Sequence, residues 1–431
     1  MQWRAMNVFK RFKKQNPPAF LEDELPLRAE LFSAAQMEQH GGILAARHTL
    51  VLHKSFQHKS DLLLPRLADN ERTISNACAA LIEAVKDNHQ ITPAAEWLLD
   101  NFYLIEEQIR TAKQHLPKGY SKELPRLMKG ISVGKPRVYD IALEVISHGD
   151  GRVDLESLRQ FINSYQRVAA LTLGELWAIP IMLRLALIEN LRRSAVRIAA
   201  SRANRNEADG WADKMIEAAE SNPASLILLV ADMARSVTAL DNAFVAELAR
   251  RLQGHNSTLT LPLTWVAQRL AESSLTIENL VQLETQQQAA GQVTISNSIG
   301  SLRFLGLVDW REFVESMSHV EQLLKLDAAE IYLKMDFSTR DCYRHVVEKL
   351  AKEVTLNPAS NKTFKVITLT STELIPQISK LEVTVAEQAL LLSHAAALLD
   401  GINSRAAHIG YYLVDKGRPA LEKALNIHYP F

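Results

Sequence analysis

Cysteine is nearly absent from this sequence. The 431 residues contain two cysteines, Cys78 and Cys342, and they lie far apart. A structural zinc site needs four ligands, usually supplied by CxxC pairs, and no CxxC occurs. Two distant thiols also give no disulfide framework. We therefore expect a protein of a reducing compartment, without a cysteine-based metal site.

Long apolar runs are also lacking. A membrane-spanning helix needs roughly 18 to 20 apolar residues, and the best candidate, residues 176–188, is shorter and contains Arg184. This stretch predicts a buried core helix. Residues 1–15 lack the apolar centre and the small-residue cleavage site of a signal peptide. The sequence therefore predicts a cytoplasmic location.

Neither sign of charge is in excess, since Lys plus Arg and Asp plus Glu both number 49. Proteins that bind nucleic acids usually have a basic excess, because phosphate neutralisation supplies most of their affinity. We expect no nucleic-acid partner. The sequence also contains no GxGxxG, no P-loop and no Asp-x-Asp, which are motifs for binding phosphate or a metal–diphosphate group. We predict no catalytic residue, no metal and no cofactor in this chain.

What the sequence does contain is helical periodicity. Apolar residues recur at helical spacing from about residue 27, and Thr92 before Pro93 is typical of a helix start. Further helices are predicted at 138–148, 154–168, 173–208, 211–221, 224–236, 241–252, 262–273 and 276–290. The predicted fold class is all-α, a multi-helix bundle or an irregular helical array, with one possible short β-hairpin near 363–370.

Breaks in this periodicity predict four parts. These are a basic segment at 1–18, an N-terminal helical subdomain at 19–130, a central one at 131–255 and a C-terminal one at 256–431. The last part contains an inserted loop at 355–381 that is polar and bounded by prolines.

The basic segment has an amphipathic pattern that suits an anionic membrane surface. Apolar residues recur every three positions among basic ones. The residues predicted to meet the membrane surface are Trp3, Phe9, Lys10, Arg11, Phe12, Lys13 and Lys14. The alternative is a solvated terminus that ends at the prolines Pro17 and Pro18.

Residues 293–351 are the densest block of polar side chains and have two interpretations. In the first they bind a ligand, with Arg303, Arg340 and Arg344 facing phosphate or sugar, because the arginine fork suits such groups. In the second they cap helices, since Ser, Thr or Asp followed three residues later by an acidic residue satisfies amides at a helix start. The predicted pairs are Thr172 with Glu175, Asp309 with Glu312, and Ser338 with Asp341. We favour capping.

Two further patterns have ordinary structural interpretations. A basic series on one predicted helix, comprising Arg192, Arg193, Arg197, Arg202 and Arg205, favours a solvated helical face over an anion-binding surface. Residues 148–154 (HGDGRVD) are similar to part of an EF-hand loop but lack three of its ligands, so they predict a turn.

Long phrases spread along the chain resemble one protein family. They are residues 92–110 (TPAAEWLLDNFYLIEEQIR), 116–127 (LPKGYSKELPRL), 136–139, 171–193 (LTLGELWAIPIMLRLALIENLRR), 296–303, 309–321, 335–351 and 409–419 (IGYYLVDKGRP). In this order they resemble the N-terminal cytoplasmic region of the cyclic β-1,2-glucan synthases, large bacterial membrane glycosyltransferases with phosphorylase-like domains. Residues 327–330 (DAAE) depart from the family's Asp-Pro-Ala-Gly turn, and 355–381 do not resemble the family.

The resemblance implies a helical module that precedes membrane and transferase portions, which use UDP-glucose for periplasmic glucan synthesis. It also implies a cytoplasmic location, peripheral to the inner membrane. The family's catalytic residues lie in those other portions, and none maps onto this sequence. Three hypotheses follow: a non-catalytic module of a glucan synthase, a ligand-binding part that contacts nucleotide or glucan through 293–351, and a stand-alone helical adaptor.

Overall fold

The computed structural model describes residues 27, 29–50, 62–87, 89–116, 120–130, 132–237, 240–254, 259–325 and 331–345. Its helices in chain order are α1 Ala34–Arg47, α2 Leu63–Lys86, α3 Pro93–Asp100, α4 Phe102–His115, α5 Tyr120–Glu123, α6 Arg137–His148, α7 Leu155–Val168, α8 Leu173–Ser221, α9 Leu226–Ser236, α10 Asn242–Leu252, α11 Thr260–Ala271, α12 Ile277–Leu305, α13 Trp310–Met317, α14 His319–Leu324 and α15 Ile331–Lys334. A further helix, α16, covers 337–345.

The all-α prediction is confirmed. In the described ranges the β-structure consists of isolated bridges, Leu50 with Leu127 and Arg126 with Pro136. The possible hairpin near 363–370 and the inserted loop at 355–381 lie outside the described residues, as does the basic segment 1–18. None of the helices described is both long enough and apolar enough to cross a membrane.

Two compact units make up the described chain. The first contains the described residues of 1–37, 47–158 and 180–308, and the second those of 38–46, 159–179 and 309–345. The four-part division inferred from the sequence stays a prediction.

The first unit buries a large apolar cluster where the end of α8 packs with α9 to α12. Met215, Met233, Phe244, Leu248 and Val266 are among its most buried members. These helices follow one another with short connections, so each apolar face meets a neighbour that is close in sequence.

The second unit depends on close approach between α1 and α7. A Cβ added at Gly41 would lie 2.5 Å from the Phe161 carbonyl oxygen, so only glycine allows this spacing. Phe161 and Tyr165 are fully buried on α7. The buried Gln166 side chain donates to the Met317 carbonyl at 2.9 Å, which links α7 to the end of α13.

Three predicted helix boundaries were wrong, each for a physical reason. Residues 173–221 form one helix that continues through Gly210, although glycine costs about 1 kcal/mol in a helix interior. Ala208 and Ala212 on either side are fully buried, and this packing offsets the cost. Helix α12 extends to Leu305, well beyond residue 290. The helix that is predicted to start after Thr92 is interrupted at Asn101, so that two helices form.

The turn at 149–151 is clamped onto a buried polar face of α12. The Asp150 carboxylate accepts a hydrogen bond from the Thr294 hydroxyl at 2.6 Å. The Gly151 carbonyl accepts one from the Ser301 hydroxyl at 2.8 Å, and that hydroxyl accepts the Val153 amide at 2.9 Å. This arrangement explains why the first part of the polar block at 293–351 carries small hydroxyl side chains.

Gly151 is the residue on which this clamp depends. Its φ is +78°, and an added Cβ would lie 2.4 Å from the Ser298 hydroxyl oxygen and 3.2 Å from the Thr294 carbonyl oxygen. We expect Gly151→Ala to lower the free energy of unfolding by roughly 2–4 kcal/mol, through backbone strain and overpacking together. Urea unfolding followed by circular dichroism measures this change.

Gly300→Ala, on the helix α12 that the turn contacts, is the matched control. Gly300 is helical and exposed, and nothing lies within 4 Å of an added Cβ. This variant should be unchanged or more stable by up to about 1 kcal/mol. Equal stability of Gly151→Ala and wild type would contradict the clamp.

Candidate functional site

The residues predicted to bind a ligand fall into two separate environments. Arg303 belongs to the first unit, where its Nη2 donates to the Asn101 amide oxygen at 2.6 Å. Arg340 and Arg344 belong to the second unit and lie one turn apart on α16. The structure brings Arg340 and Arg344 together around shared carboxylates.

Arg344 is the centre of a buried ion-pair network. Its side chain has no exposed surface, and its Nη1 lies 2.6 Å from Glu321 Oε2, which is also fully buried. The same nitrogen lies 3.0 Å from Glu315, and Nη2 lies 3.0 Å from Asp341. Burial by itself lowers the pKa of Arg344, but the hydrogen bonds to these carboxylates outweigh it and raise the pKa above its ordinary value. Arg344 is therefore a fixed cation inside the unit.

Other side chains complete the network around Glu321. The Tyr332 hydroxyl donates to Glu321 Oε2 at 2.5 Å. Burial and this hydrogen bond raise the pKa of Tyr332, so it remains a protonated donor. Arg340 lies 3.0 Å from Glu315 and 3.7 Å from Glu321, and Lys325 lies 3.5 Å from Glu321. Three cations thus face three carboxylates, and the network is neutral as a whole.

An aromatic group covers one side of this network. The Phe337 ring centroid lies 5.0 Å from the Arg344 guanidinium and 5.4 Å from that of Arg311. Trp177 meets Phe337 edge-on, with 6.1 Å between ring centroids. Cation–π contacts of this kind add stability when the cation is removed from water. Arg344 is therefore engaged by the protein itself.

The three predicted capping pairs differ from one another in the structure. Thr172 and Glu175 bond reciprocally, since the Glu175 amide donates to the Thr172 hydroxyl at 3.2 Å and the Thr172 amide donates to the Glu175 carboxylate at 2.9 Å. The Asp309 carboxylate accepts the amides of Arg311 and Glu312 at 2.9 and 3.3 Å. The carboxylate of Glu312 lies 3.3 Å from Arg159.

The prediction that Ser338 and Asp341 cap α16 was wrong. The helix begins at 337, and Asp336 is its cap, because its carboxylate accepts the Ser338 amide at 3.1 Å and the Thr339 hydroxyl at 2.5 Å. An aspartate at the position before the first helical residue satisfies an amide of the first turn better than a serine inside the helix can. Asp341 pairs with Arg344 instead.

The basic series on α8 is not a solvated face, which corrects that interpretation. Arg192 and Arg202 are buried. Arg205 lies 2.8 Å from Glu284 of α12, and both side chains are largely buried. The Arg202 Nη1 donates to the Gln90 carbonyl at 2.9 Å. These arginines join α8 to other parts of the first unit.

Glu189 is the acidic counterpart of this series. The Glu189 side chain is 2% exposed and accepts two hydrogen bonds from Arg66 of α2, at 2.7 and 2.9 Å. Arg193 and Arg192 add contacts at 2.8 and 3.1 Å. Burial raises the pKa of Glu189, but these three arginines outweigh it and lower the pKa to about 2. Glu189 therefore remains ionised at neutral pH.

Sequence reasoning missed the acidic halves of both networks. Glu189 follows from no motif of the sequence, and Glu315 and Glu321 lie within the phrase 309–321 that resembles the glucan synthases. The local sequence offers no signal for these pairs, because Arg66 precedes Glu189 by 123 residues and Arg344 follows Glu321 by 23.

Comparison with known proteins confirms the resemblance seen in the sequence. The chain is similar to cyclic beta-(1,2)-glucan synthase NdvB of Rhizobium meliloti (strain 1021), with 30% identity over 400 residues. The match covers 93% of this chain but 13% of the length of that relative. No protein-family model matches the chain. The similarity therefore extends over nearly the whole chain, which corresponds to a small part of that relative.

The Glu189 network has a pH dependence whose sign follows from the pKa. The folded-state pKa is lowered from 4.5 to about 2, so the network stabilises the fold above about pH 4.5 and loses this contribution as the pH falls toward 2. A shift of this size corresponds to about 3 kcal/mol at neutral pH. We expect Glu189→Gln to lower the free energy of unfolding by roughly that amount at pH 7.

The measurement is denaturant unfolding of both proteins between pH 7 and pH 3. The difference between wild type and Glu189→Gln should shrink below about pH 4.5. Glu207→Gln, at an exposed position of the same helix, is the control and should change little at any pH. A difference that stays constant across this range would show that ionisation of Glu189 is not the cause.

Proposed function

We propose that this chain is a non-catalytic helical module of a glycosyltransferase like the cyclic β-1,2-glucan synthases, and that it supports periplasmic glucan synthesis from UDP-glucose. The observation that carries the proposal is the similarity to a cyclic beta-(1,2)-glucan synthase over 93% of the chain. The partners are the membrane and transferase portions of the synthase, on the same chain or a separate one. The location is cytoplasmic and peripheral to the inner membrane.

The geometry of the polar block supports a structural role for this module. Arg344 has no exposed surface and contacts three carboxylates. Thr294, Ser298 and Ser301 are buried against the turn at 149–151 or within α12 itself. Side chains that are occupied by internal partners have little capacity left for a substrate.

A ligand-binding part of the transferase is the second candidate, and one observation favours it. Arg303 is exposed on α12, and its partner is a neutral amide, not a carboxylate. A guanidinium in this state retains its full charge for a phosphate or a sugar hydroxyl. Arg340, with 19% of its side chain exposed, would be the second contact. A stand-alone helical adaptor is the third candidate.

The module and the ligand-binding part differ in their kinetic signature. We expect removal of this chain's coding region from its bacterium to abolish or sharply reduce β-1,2-glucan, measured in cell extracts by chromatography. In membranes that carry Arg303→Ala, the KM for UDP-glucose should equal that of wild type. Arg110→Ala, at an exposed position of α4, is the matched surface control.

Two results would decide against the module. Unchanged β-1,2-glucan after the deletion would favour the stand-alone adaptor. An increase of roughly tenfold or more in KM for Arg303→Ala, about the effect of one lost charged hydrogen bond, would favour the ligand-binding part.

The basic segment 1–18 gives a separate proposal about the membrane surface. Each basic residue near an anionic surface contributes about 1 kcal/mol. We expect deletion of residues 1–15 to reduce binding to vesicles of anionic lipid at least roughly tenfold in a sedimentation assay, with no binding of either protein to neutral vesicles. Replacing Lys10, Arg11, Lys13 and Lys14 by glutamine should give a similar loss. Equal binding of the deleted and full chains to anionic vesicles would refute the proposal.

A further inference from the structure

A buried arginine of the first unit, Arg184 of α8, has a neutral partner. The exposed fraction of this residue is 8%. Its Nε donates a hydrogen bond to the amide oxygen of Gln108 on α4 at 2.8 Å. Its terminal nitrogens, Nη1 and Nη2, have no hydrogen-bond partner among the described residues, and they are not sealed from solvent. A small molecule can therefore reach two donor nitrogens of a largely buried cation.

Other arginines of α8 that are withdrawn from water have anionic partners. Arg192 lies 3.1 Å from Glu189, and Arg205 lies 2.8 Å from Glu284. Burial lowers the pKa of Arg184, and no carboxylate among the described residues raises that pKa in return. A cation that is removed from water without a counterion is unfavourable for the fold. What the surroundings of Arg184 lack is an anion.

A second arginine meets the same face of α4. The amide oxygen of Asn101, directly before α4, accepts a hydrogen bond from Arg303 of α12 at 2.6 Å. Gln108 follows Asn101 by two helical turns, which is about 10 Å along the axis. Both arginines are thus oriented by amides, which do not neutralise a guanidinium. Two positive charges on one face of α4 favour an anion with more than one negative charge, such as phosphate, over a monocarboxylate.

We propose that Arg184 binds a phosphate group, with Arg303 as a second, more exposed positive charge that attracts the anion. A guanidinium can pair with two phosphate oxygens at once, here through Nη1 and Nη2. Free phosphate, diphosphate and nucleotides share this chemistry. The inference is independent of the proposed function, because anion binding is measured on the purified chain and glucan synthesis in cells, so either can fail alone.

Isothermal titration calorimetry of the full chain, in chloride buffer of constant ionic strength, tests the proposal with inorganic phosphate, pyrophosphate, UDP and acetate. We expect saturable binding of phosphate with a Kd of about 1 mM or lower. Binding should be at least roughly tenfold weaker in Arg184→Met, about the effect of one lost charged hydrogen bond. Acetate should bind more weakly than phosphate. Tighter binding of UDP than of pyrophosphate would support a nucleotide as the source of the phosphate group, and the reverse would support a free phosphate.

Two control variants separate this site from surface charge and from the fold. Arg110→Met, at an exposed position of α4, should change the phosphate affinity by less than about twofold. Thermal unfolding without phosphate is the second readout. Arg184→Met should have a Tm equal to or above that of wild type, because methionine needs no counterion. Arg205→Met should lower the Tm by at least roughly 5 °C, because it leaves Glu284 buried without its arginine.

Four results would overturn the proposal. The first is the absence of saturable binding of any phosphate probe to the wild type. The second is equal phosphate affinity in Arg184→Met and wild type. The third is a Tm of Arg184→Met as low as that of Arg205→Met, since the fold itself would then need the guanidinium. The fourth is binding of acetate as tight as that of phosphate, because the site would then select no phosphate group.

Discussion

The first unit depends on the pairing of polar side chains that lie along α8 in buried positions. Each pairs with a different part of the unit. Arg184 meets Gln108 of α4, Glu189 meets Arg66 of α2, and Arg205 meets Glu284 of α12. Asn190 donates a hydrogen bond to Ser298 and accepts one from the Leu27 amide.

These polar pairs restrict how the helices can shift along one another. Apolar contacts tolerate a shift of one helix along another, but a buried hydrogen bond left unmade costs about 1–3 kcal/mol. The polar positions of α8 therefore fix the register of its neighbours.

Each of the two ion-pair networks surrounds one buried charged side chain, and the sign of that central charge differs between them. In the first unit one carboxylate, Glu189, gathers three arginines. In the second unit one guanidinium, Arg344, gathers three carboxylates. Because Glu189 lies on a helix that also has a large apolar environment, its network adds to an attachment that is already strong. The network of Arg344 joins α16 to Glu315 of α13 and Glu321 of α14 beside the buried ring of Tyr343.

The sequence was a good guide where the determinants are local. Helices α6, α7 and α10 begin and end within a residue of their predicted bounds. Their apolar spacing is local, and Asp154 and Asp241 cap α7 and α10 directly before the helix starts. Prediction failed where a distant residue decides the outcome. Gly210 does not break α8, because the alanines beside it are packed against other helices. Asn101 does interrupt the helix after Thr92, and its side chain bonds both Trp97 and Arg303, which follows it by 202 residues.

The candidate site shows a similar limit of sequence-based prediction, which concerns the role of each polar residue. Arginines, carboxylates and hydroxyls serve in helix caps, in buried ion pairs and in active sites alike, so the residue types of a block such as 293–351 do not distinguish these uses. The partners of each side chain and its exposure to solvent do distinguish these uses. Arg344 has no surface and three anionic partners, whereas Arg303 is exposed and bonds a neutral amide. A ligand that carries phosphate would have to displace carboxylates to reach Arg344, whereas among the described residues the partner of Arg303 is a neutral amide. The physical difference between structural and ligand-binding arginines therefore separates two residues that the sequence had grouped together.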